Sequence, residues 1–204
     1  MLYKKNALII FIKNPQLGKV KTRVAQTVGD EKALEIYLKL LKITHQNTKI
    51  LRGVKCHLYY SDFINNSDEW SEKNYEKHVQ NGTDLGARMA EAFSEILKHH
   101  EKVCIMGSDC PTLSPDILQK AFQDLETTDF VLGPSTDGGY YLLGMNRGID
   151  FKIIFSNMVW STDSVLSETL KRIATMRKSV ALLPELTDVD EAKDWFAFLA
   201  QTSH

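Results

Sequence analysis

The sequence predicts an α/β fold, a three-layer α/β/α sandwich around a mixed, mainly parallel sheet. Strand-like and helix-like stretches alternate along most of the chain, as in folds built from βαβ units. The first apolar run, at residues 7–12, is continuous, which is typical of a strand covered on both faces. Polar clusters rich in Gly, Pro and Asp follow several strands. In open α/β sheets ligands bind beyond the carboxyl ends of the strands, so these clusters predict a binding site there.

Each element has its own local signal. The predicted strands are 7–12, 54–60, 103–106, 130–132, 140–145 and 180–183, and the predicted helices are 31–44, 84–98, 115–125, 163–175 and 191–199. Residues 84–98 carry apolar side chains at helical spacing. Ser114 before a proline predicts the start of the third helix, and Ser161 or Thr162 is a candidate cap for the fourth. The strand at 140–145 follows a turn too short for a parallel crossover, so it is predicted to be antiparallel.

Composition limits the class of protein. The chain has 204 residues, 43% of them hydrophobic and 25% charged, which suits a single domain spanning residues 1–204. A net charge of −1 offers no basic surface for nucleic acid, and no apolar run is long enough to cross a membrane. Three cysteines without zinc-like spacing predict reduced thiols in a cytoplasmic protein, and the six histidines form no recognisable metal motif.

A basic loop follows the first strand. Residues 13–23 contain four cations, one proline and one glycine, and lead toward a helix. Backbone N–H groups, a helix N-terminus and cations together suit phosphate oxygens, although the spacing is not that of a Walker A loop. The alternative is a solvated basic turn. The candidate phosphate-binding residues are Lys13, Pro15, Gly18, Lys21, Thr22 and Arg23.

The second cluster opens the helix at residues 84–98. Asp84 has the position of an N-cap, which is a sufficient structural reason for it. Gly86 weakens the first turn of a helix, and the close approach of a ligand would explain it. Arg88 faces either that ligand or solvent. All three residues are candidates for substrate binding.

The third cluster is Gly107-Ser108-Asp109-Cys110-Pro111, directly after a buried strand. Mg²⁺ in proteins is held by one or two carboxylates and completes its shell with water and substrate phosphate oxygens. Asp109 is therefore a candidate metal ligand, with Ser108 beside the substrate. The alternative is a turn in which the aspartate bonds to its own backbone.

The fourth cluster, at residues 133–141, joins two strands. An Asp-Gly pair is a strong hairpin signal without any function. The candidate site residues here are Asp137, Gly138, Gly139 and Tyr140, and the tyrosine either packs or lines an acceptor pocket.

The last cluster is Thr187-Asp188-Val189-Asp190-Glu191. Asp188 and Glu191 have the spacing of a capping box, which predicts that one aspartate caps the final helix. The other would then point toward the site and supply a second carboxylate for the metal. Asp188 and Asp190 are both candidates for that ligand.

Taken in order, these motifs resemble one family. The chain carries KxPxxGxVKTR, GTDLGARM, GSDCPTLSP, GPSTDGGYYLLG, WSTDSVL and LTDVDEAKDW between about residues 7 and 195. This succession resembles the GT-A-fold nucleotide-diphospho-sugar transferase superfamily, in the bacterial glycosyltransferase-like branch that is similar to 2-phospho-lactate guanylyltransferase. The chain lacks the GGxxxRxG loop of the better-known nucleotidyltransferases and the DxD motif of many sugar transferases.

The resemblance implies a transferase that uses Mg²⁺ or Mn²⁺, a nucleotide donor and a small-molecule acceptor. Asp109 falls at the metal-binding aspartate, Asp188 or Asp190 near a second ligand position, and Lys21 and Arg23 on the phosphate-binding segment. Asp137 would belong to the site. Three hypotheses follow: nucleotidyl transfer from a nucleoside triphosphate to a small anionic acceptor, glycosyl transfer from a nucleotide-sugar, and a nucleotide-binding module without catalysis. The departures from the two motifs leave the reaction open.

Overall fold

A computed structural model describes residues 4–202 of the chain. Its strands within that range are β1 (Lys4–Ile12), β2 (Val54–Tyr60), β3 (Tyr75–Val79), β4 (His100–Met106), β5 (Phe130–Pro134), β6 (Tyr140–Asn146) and β7 (Val180–Leu182). The helices are α1 (Thr22–Val28), α2 (Asp30–Thr48), α3 (Leu85–Ile96), α4 (Pro115–Asp124), α5 (Lys152–Phe155), α6 (Val165–Thr175) and α7 (Ala192–Thr202).

The strands form one mixed sheet in the order β3-β2-β1-β4-β6-β5-β7. Strand β6 runs antiparallel to both β4 and β5, and the remaining pairs are parallel. The antiparallel direction predicted for residues 140–145 is therefore confirmed. The turn before β6 closes with a hydrogen bond from Ser135 N to Gly139 O of 3.0 Å, which reverses the chain within a few residues.

Helices cover both faces of the sheet, as the α/β/α prediction requires. Side chains of α2 and α4, such as Tyr37 and Leu118, belong to the core on one face. Side chains of α3, α5 and α6, such as Phe93, Ile154 and Ile173, belong to the core on the other. A smaller cluster joins α1, α2 and α7. Because both faces are covered, the open sites of the sheet are its strand ends.

Two of the predicted helix starts are confirmed by side-chain caps. The Asp84 carboxylate accepts a hydrogen bond from Ala87 N at 2.9 Å, and the Ser114 hydroxyl accepts one from Ile117 N at 3.3 Å. The start predicted for α6 was wrong by two residues. Its N-cap is Ser164, which makes no side-chain cap bond. Residue 161 has a φ of 63°, outside the range of a right-handed helix.

Three elements escaped the sequence prediction: α1, β3 and α5. Strand β3 reads Tyr-Glu-Lys-His-Val and lies at the edge of the sheet, so it has few apolar residues to mark it. Helix α5 has only four residues and lacks a side-chain cap. Helix α1 lies between the end of the basic loop at residues 13–23 and the helix predicted at 31–44, where the sequence analysis named no element.

Two observations concern the predictions made from composition, one about the cysteines and one about membrane-spanning segments. Cys56, Cys104 and Cys110 are buried, and none forms a disulfide. Among residues 4–202, no helix has both the length and the apolar character needed to cross a membrane.

Candidate active site

A cleft of about 670 Å³ opens at the carboxyl edge of the sheet. Its walls come from the ends of β1, β2 and β4, from the start of β6 and from the chain before α6 and α7. Since β6 is antiparallel, its first residues lie at the same edge as the last residues of its neighbours. Residues as distant in sequence as Lys13 and Asp190 therefore line one space.

Lys21 occupies the floor between two segments of the cleft. Its side chain is 6% exposed, and its Nζ lies 2.9 Å from Asp109 Oδ2. The same Nζ donates a hydrogen bond of 2.6 Å to the backbone oxygen of Val189. Lys21 itself has a φ of 49°, immediately before α1 begins. This left-handed conformation, uncommon outside glycine, turns the basic loop into the helix.

The segment before α7 is fastened to the cleft by several hydrogen bonds. Val189 N donates to the backbone oxygen of Asp109 at 2.9 Å. The Ser135 hydroxyl donates to Asp188 Oδ2 at 3.1 Å, and Arg23 forms an ion pair of 3.1 Å with Asp190. Residues that follow four different strands, β1, β4, β5 and β7, are thus joined in one place.

The capping box predicted at residues 188–191 was wrong. The Asp194 carboxylate instead accepts hydrogen bonds from the backbone N–H groups of Asp190 and Glu191, at 3.1 and 2.8 Å. Asp194 is already on α7, so the helix is capped from within its own first turn. Both Asp188 and Asp190 are left to line the cleft.

The cleft concentrates negative charge. Burial, followed by the nearby charge of Asp109, raises the pKa of Asp188 to about 7. Burial also raises the pKa of Asp190, while Arg23 and Lys21 oppose that rise. Asp137, which is exposed, adds to the repulsion at both groups. Such perturbed carboxylates in a cleft are typical of a functional site.

Most of the predicted site residues line this cleft: Lys13, Lys21, Arg23, Arg88, Ser108, Asp109, Asp137, Gly139, Tyr140, Asp188 and Asp190. The others lie outside its walls: Pro15, Gly18, Thr22, Asp84, Gly86 and Gly138. Their proposed contact with substrate stays a prediction.

Two of the outlying glycines have a packing reason. A Cβ on Gly86 would stand 2.5 Å from Nε1 of Trp160, so the indole ring requires the glycine. A Cβ on Gly138 would stand 2.2 Å from the backbone oxygen of Asp163, and Gly138 has a φ of +86°. In both cases the neighbouring atoms belong to the chain before α6. At Gly86, where the sequence interpretation expected a ligand, that neighbour is Trp160.

The sequence interpretation missed several side chains of the cleft, among them Tyr37, Gln80 and Trp160. The Tyr37 hydroxyl accepts a hydrogen bond from Lys13 N at 2.8 Å and donates one to Lys13 O at 3.0 Å. Gln80 directly follows β3, the edge strand that the sequence did not reveal. Trp160 stands in the WSTDSVL motif, to which no chemistry was assigned.

Residues 44–162, more than half of the chain, match the model of a family described as an uncharacterized protein conserved in bacteria (DUF2064). No curated protein sequence matches the chain significantly.

Solved structures share the fold. A Desulfovibrio desulfuricans G20 protein, provisionally named a nucleotide-diphospho-sugar transferase, is 29% identical with a TM-score of 0.87, over 97% of this chain and 88% of its own. The 4-diphosphocytidyl-2C-methyl-D-erythritol synthase of Anaerococcus prevotii DSM 20548 is 13% identical with a TM-score of 0.64, over 98% and 97% of the two chains. Rv0371C of Mycobacterium tuberculosis H37Rv, in complex with manganese, is 12% identical with a TM-score of 0.53, over 98% and 100%. The predicted fold is confirmed.

Proposed function

The chain belongs to the DUF2064 family of uncharacterized proteins conserved in bacteria, and we propose that it transfers a nucleotidyl group from a nucleoside triphosphate to a small anionic acceptor. It is a transferase with the fold of the nucleotide-diphospho-sugar transferases. The proposal rests on one observation: the side chains of three aspartates and two basic residues line the same cleft, namely Asp109, Asp188, Asp190, Lys21 and Arg23. We also propose that residues 1–204 act as one domain, since the cleft draws on Lys13 and on Asp190.

The donor set of the cleft fits a divalent cation. Mg²⁺ binds carboxylate oxygens and keeps water or phosphate oxygens in its remaining positions. Burial and mutual repulsion raise the pKa values of Asp188 and Asp190, so a cation between these groups and Asp109 would relieve an unfavourable charge. We assign Asp109, with Asp188 or Asp190, to hold Mg²⁺ or Mn²⁺. A structural relative that binds manganese supports this choice.

The bound metal would offset the charge that develops on the phosphates during in-line displacement. The residues of the chain prepare the site for that charge. Lys21, held by Asp109 and the Val189 carbonyl, fixes the position of the Asp109 carboxylate. Arg23 is 64% exposed at the cleft, and its planar guanidinium suits bidentate contact with the leaving pyrophosphate. Release of pyrophosphate, which carries more charge than a nucleoside diphosphate, is the better match for a cleft with this basic loop.

Glycosyl transfer from a nucleotide-sugar is the second candidate. It is favoured by Asp137, an exposed carboxylate in the cleft that could accept the proton of an acceptor hydroxyl. The relative at 29% identity carries a name of this kind. Incubation with panels of nucleoside triphosphates and nucleotide-sugars, together with phosphorylated and hydroxyl acceptors, separates the two reactions. Metal-dependent release of pyrophosphate supports the first, and release of nucleoside diphosphate alone overturns it.

Ligand binding tests the site without knowledge of the acceptor. Thermal unfolding is followed for each nucleotide with and without Mg²⁺ or Mn²⁺, because a ligand at 100 times its Kd adds about 2.7 kcal/mol to the free energy of unfolding. Asp109→Asn should lose the metal-dependent part of the shift. Asp150→Asn, an exposed aspartate outside the cleft, is the matched control. Undiminished metal-dependent binding by Asp109→Asn would contradict the assigned site.

A further inference from the structure

A second cluster of ligating side chains lies on the β2–β3 edge of the sheet, outside the cleft. Within residues 4–202, His57, Glu76 and His78 are the one group whose ligating atoms all lie within 4.8 Å of one another. His57 on β2 pairs in register with Glu76 on β3, and His78 is two residues further along β3. All three side chains therefore point to the same face of the sheet. None of them lines the cleft.

We propose that His57, Glu76 and His78 bind a transition-metal ion of the Zn²⁺ type. Nδ1 of His57 lies 3.2 Å from Nε2 of His78, and the Glu76 oxygens lie 3.9 Å from the first nitrogen and 4.0 Å from the second. Ligands about 2.0–2.1 Å from Zn²⁺ in a tetrahedral shell are about 3.3 Å apart. The two nitrogens already have this separation. The Glu76 side chain, 56% exposed, closes the remaining distance by a small rotation.

A carboxylate lies near the ring nitrogen of His78 that would face away from a bound metal. Nδ1 of His78, on the side of the ring away from His57, lies 3.7 Å from Oε1 of Glu95 on α3. The Tyr59 hydroxyl donates a hydrogen bond of 2.8 Å to Oε2 of the same glutamate. The Tyr59 ring also stacks on His78, with centroids 4.5 Å apart and planes 13° apart. A carboxylate that accepts a hydrogen bond from the distal nitrogen orients the ring and strengthens its bond to a metal, and at 3.7 Å Glu95 needs only a small side-chain rotation to do so.

Charge favours a cation at this place. The Glu76 and Glu95 carboxylates have only histidines as ion-pair partners among the residues that the structure describes. Neither carboxylate has a lysine or arginine partner there, so a bound cation would offset their charge. Imidazole and carboxylate together suit Zn²⁺, Co²⁺ and Ni²⁺ more than Mg²⁺. The site is thus chemically distinct from the all-carboxylate cleft.

A metal ion bound by this cluster would stabilise the edge of the sheet. Strand β3 pairs with β2 alone in the strand order, and Gln80 follows it directly. The Gln80 amide donates hydrogen bonds to the backbone oxygens of Ile12 and Tyr59, both at 3.1 Å, and lines the cleft. An ion that joins β3 to β2 would therefore stabilise one wall of the cleft without entering it.

Metal titration tests the proposal. The full chain is stripped with a chelator and titrated with Zn²⁺ against a chromogenic competitor, and Co²⁺ is used as a spectroscopic probe of geometry. All measurements are made on an Asp109→Asn background to weaken the cleft, and then on the wild type. We expect one Zn²⁺ per chain and the intense visible bands of tetrahedral Co²⁺ in the Asp109→Asn protein, with a rise in Tm on Zn²⁺ binding, and the same bands in the wild type beside any ion that the cleft takes up.

Variants distinguish this site from adventitious binding. His78→Gln and Glu76→Gln should each lower the Zn²⁺ affinity at least 10-fold, and Glu95→Gln, behind His78, roughly 10–100-fold. His99→Gln, an exposed histidine outside the cluster, is the matched control and should bind as the wild type does. If His78→Gln does not fold, the half-exposed Glu76→Gln decides. Wild-type affinity in Glu76→Gln, or loss of Zn²⁺ binding in Asp109→Asn, would overturn the proposal, and the nitrogens of His57 and His78 would then share only a hydrogen bond.

Discussion

Replacing Lys21 by methionine removes the charge at the floor of the cleft and keeps most of the aliphatic stem. The Lys21 side chain is 6% exposed and makes two polar contacts, one with the Val189 carbonyl at 2.6 Å and one with Asp109 at 2.9 Å. Methionine makes neither contact. The carbonyl then loses the donor that holds the segment before α7 against the basic loop.

The two contacts differ in strength. A hydrogen bond from a charged donor to a buried acceptor contributes about 1.5–3 kcal/mol. The ion pair contributes about 0–1 kcal/mol, because the Asp109 side chain is 44% exposed and water screens its charge. We expect Lys21→Met to lower the free energy of unfolding by about 1.5–4 kcal/mol. For a chain of this size the Tm should fall by roughly 3–16 °C, at about 2–4 °C per kcal/mol.

Urea unfolding of the metal-free protein at pH 7 measures this effect, and thermal unfolding provides a second reading. Lys19→Met is the matched control, since Lys19 is exposed in the same loop. Equal stabilities of the two variants, within about 0.5 kcal/mol, would refute the view that Lys21 joins the two segments. That margin is the usual spread of surface substitutions.

Two more predictions concern the walls and the charge of the cleft. Gly86→Ala should lower the free energy of unfolding by about 1–3 kcal/mol and shift the emission of Trp160, because its Cβ would stand 2.5 Å from the indole nitrogen. Gly107→Ala, with open space at its Cβ, is the control, and an unchanged Trp160 spectrum in Gly86→Ala would contradict the packing. Burial and the charge of Asp109 raise the pKa of Asp188 to about 7, above the value of about 3.9 in an unfolded chain, so the folded protein binds this proton more tightly. Without metal, this group's contribution to stability should decline as the pH rises from about 4 to about 7. Urea unfolding in EDTA at pH 5 and pH 8 should therefore show a smaller decline for Asp188→Asn than for the wild type, and equal declines would exclude Asp188 as the source.

The sequence revealed the elements whose signals are local. Strand β2 has the predicted bounds, and α3 and α4 begin at the predicted caps, Asp84 and Ser114. A cap depends on a side chain and a backbone N–H three residues away, so neighbours in sequence are sufficient to predict it. Strand β3 lies at the edge of the sheet, and its polar sequence became a strand only through pairing with β2. No local pattern distinguishes such a strand from a loop.

The sequence by itself also determined where chemistry can gather, because clusters after parallel strands must share one edge of a sheet. Tertiary structure decided which side chains of each cluster enter the cleft. In the folded chain Asp194 caps the last helix, so that Asp188 and Asp190 both line the cleft. Trp160 packs against Gly86, where the sequence predicts a ligand. Tertiary structure also brought His57 beside His78 across two strands. The physical reason is that caps and periodicity act between neighbours in the chain, whereas packing and charge act through space between residues that the sequence separates.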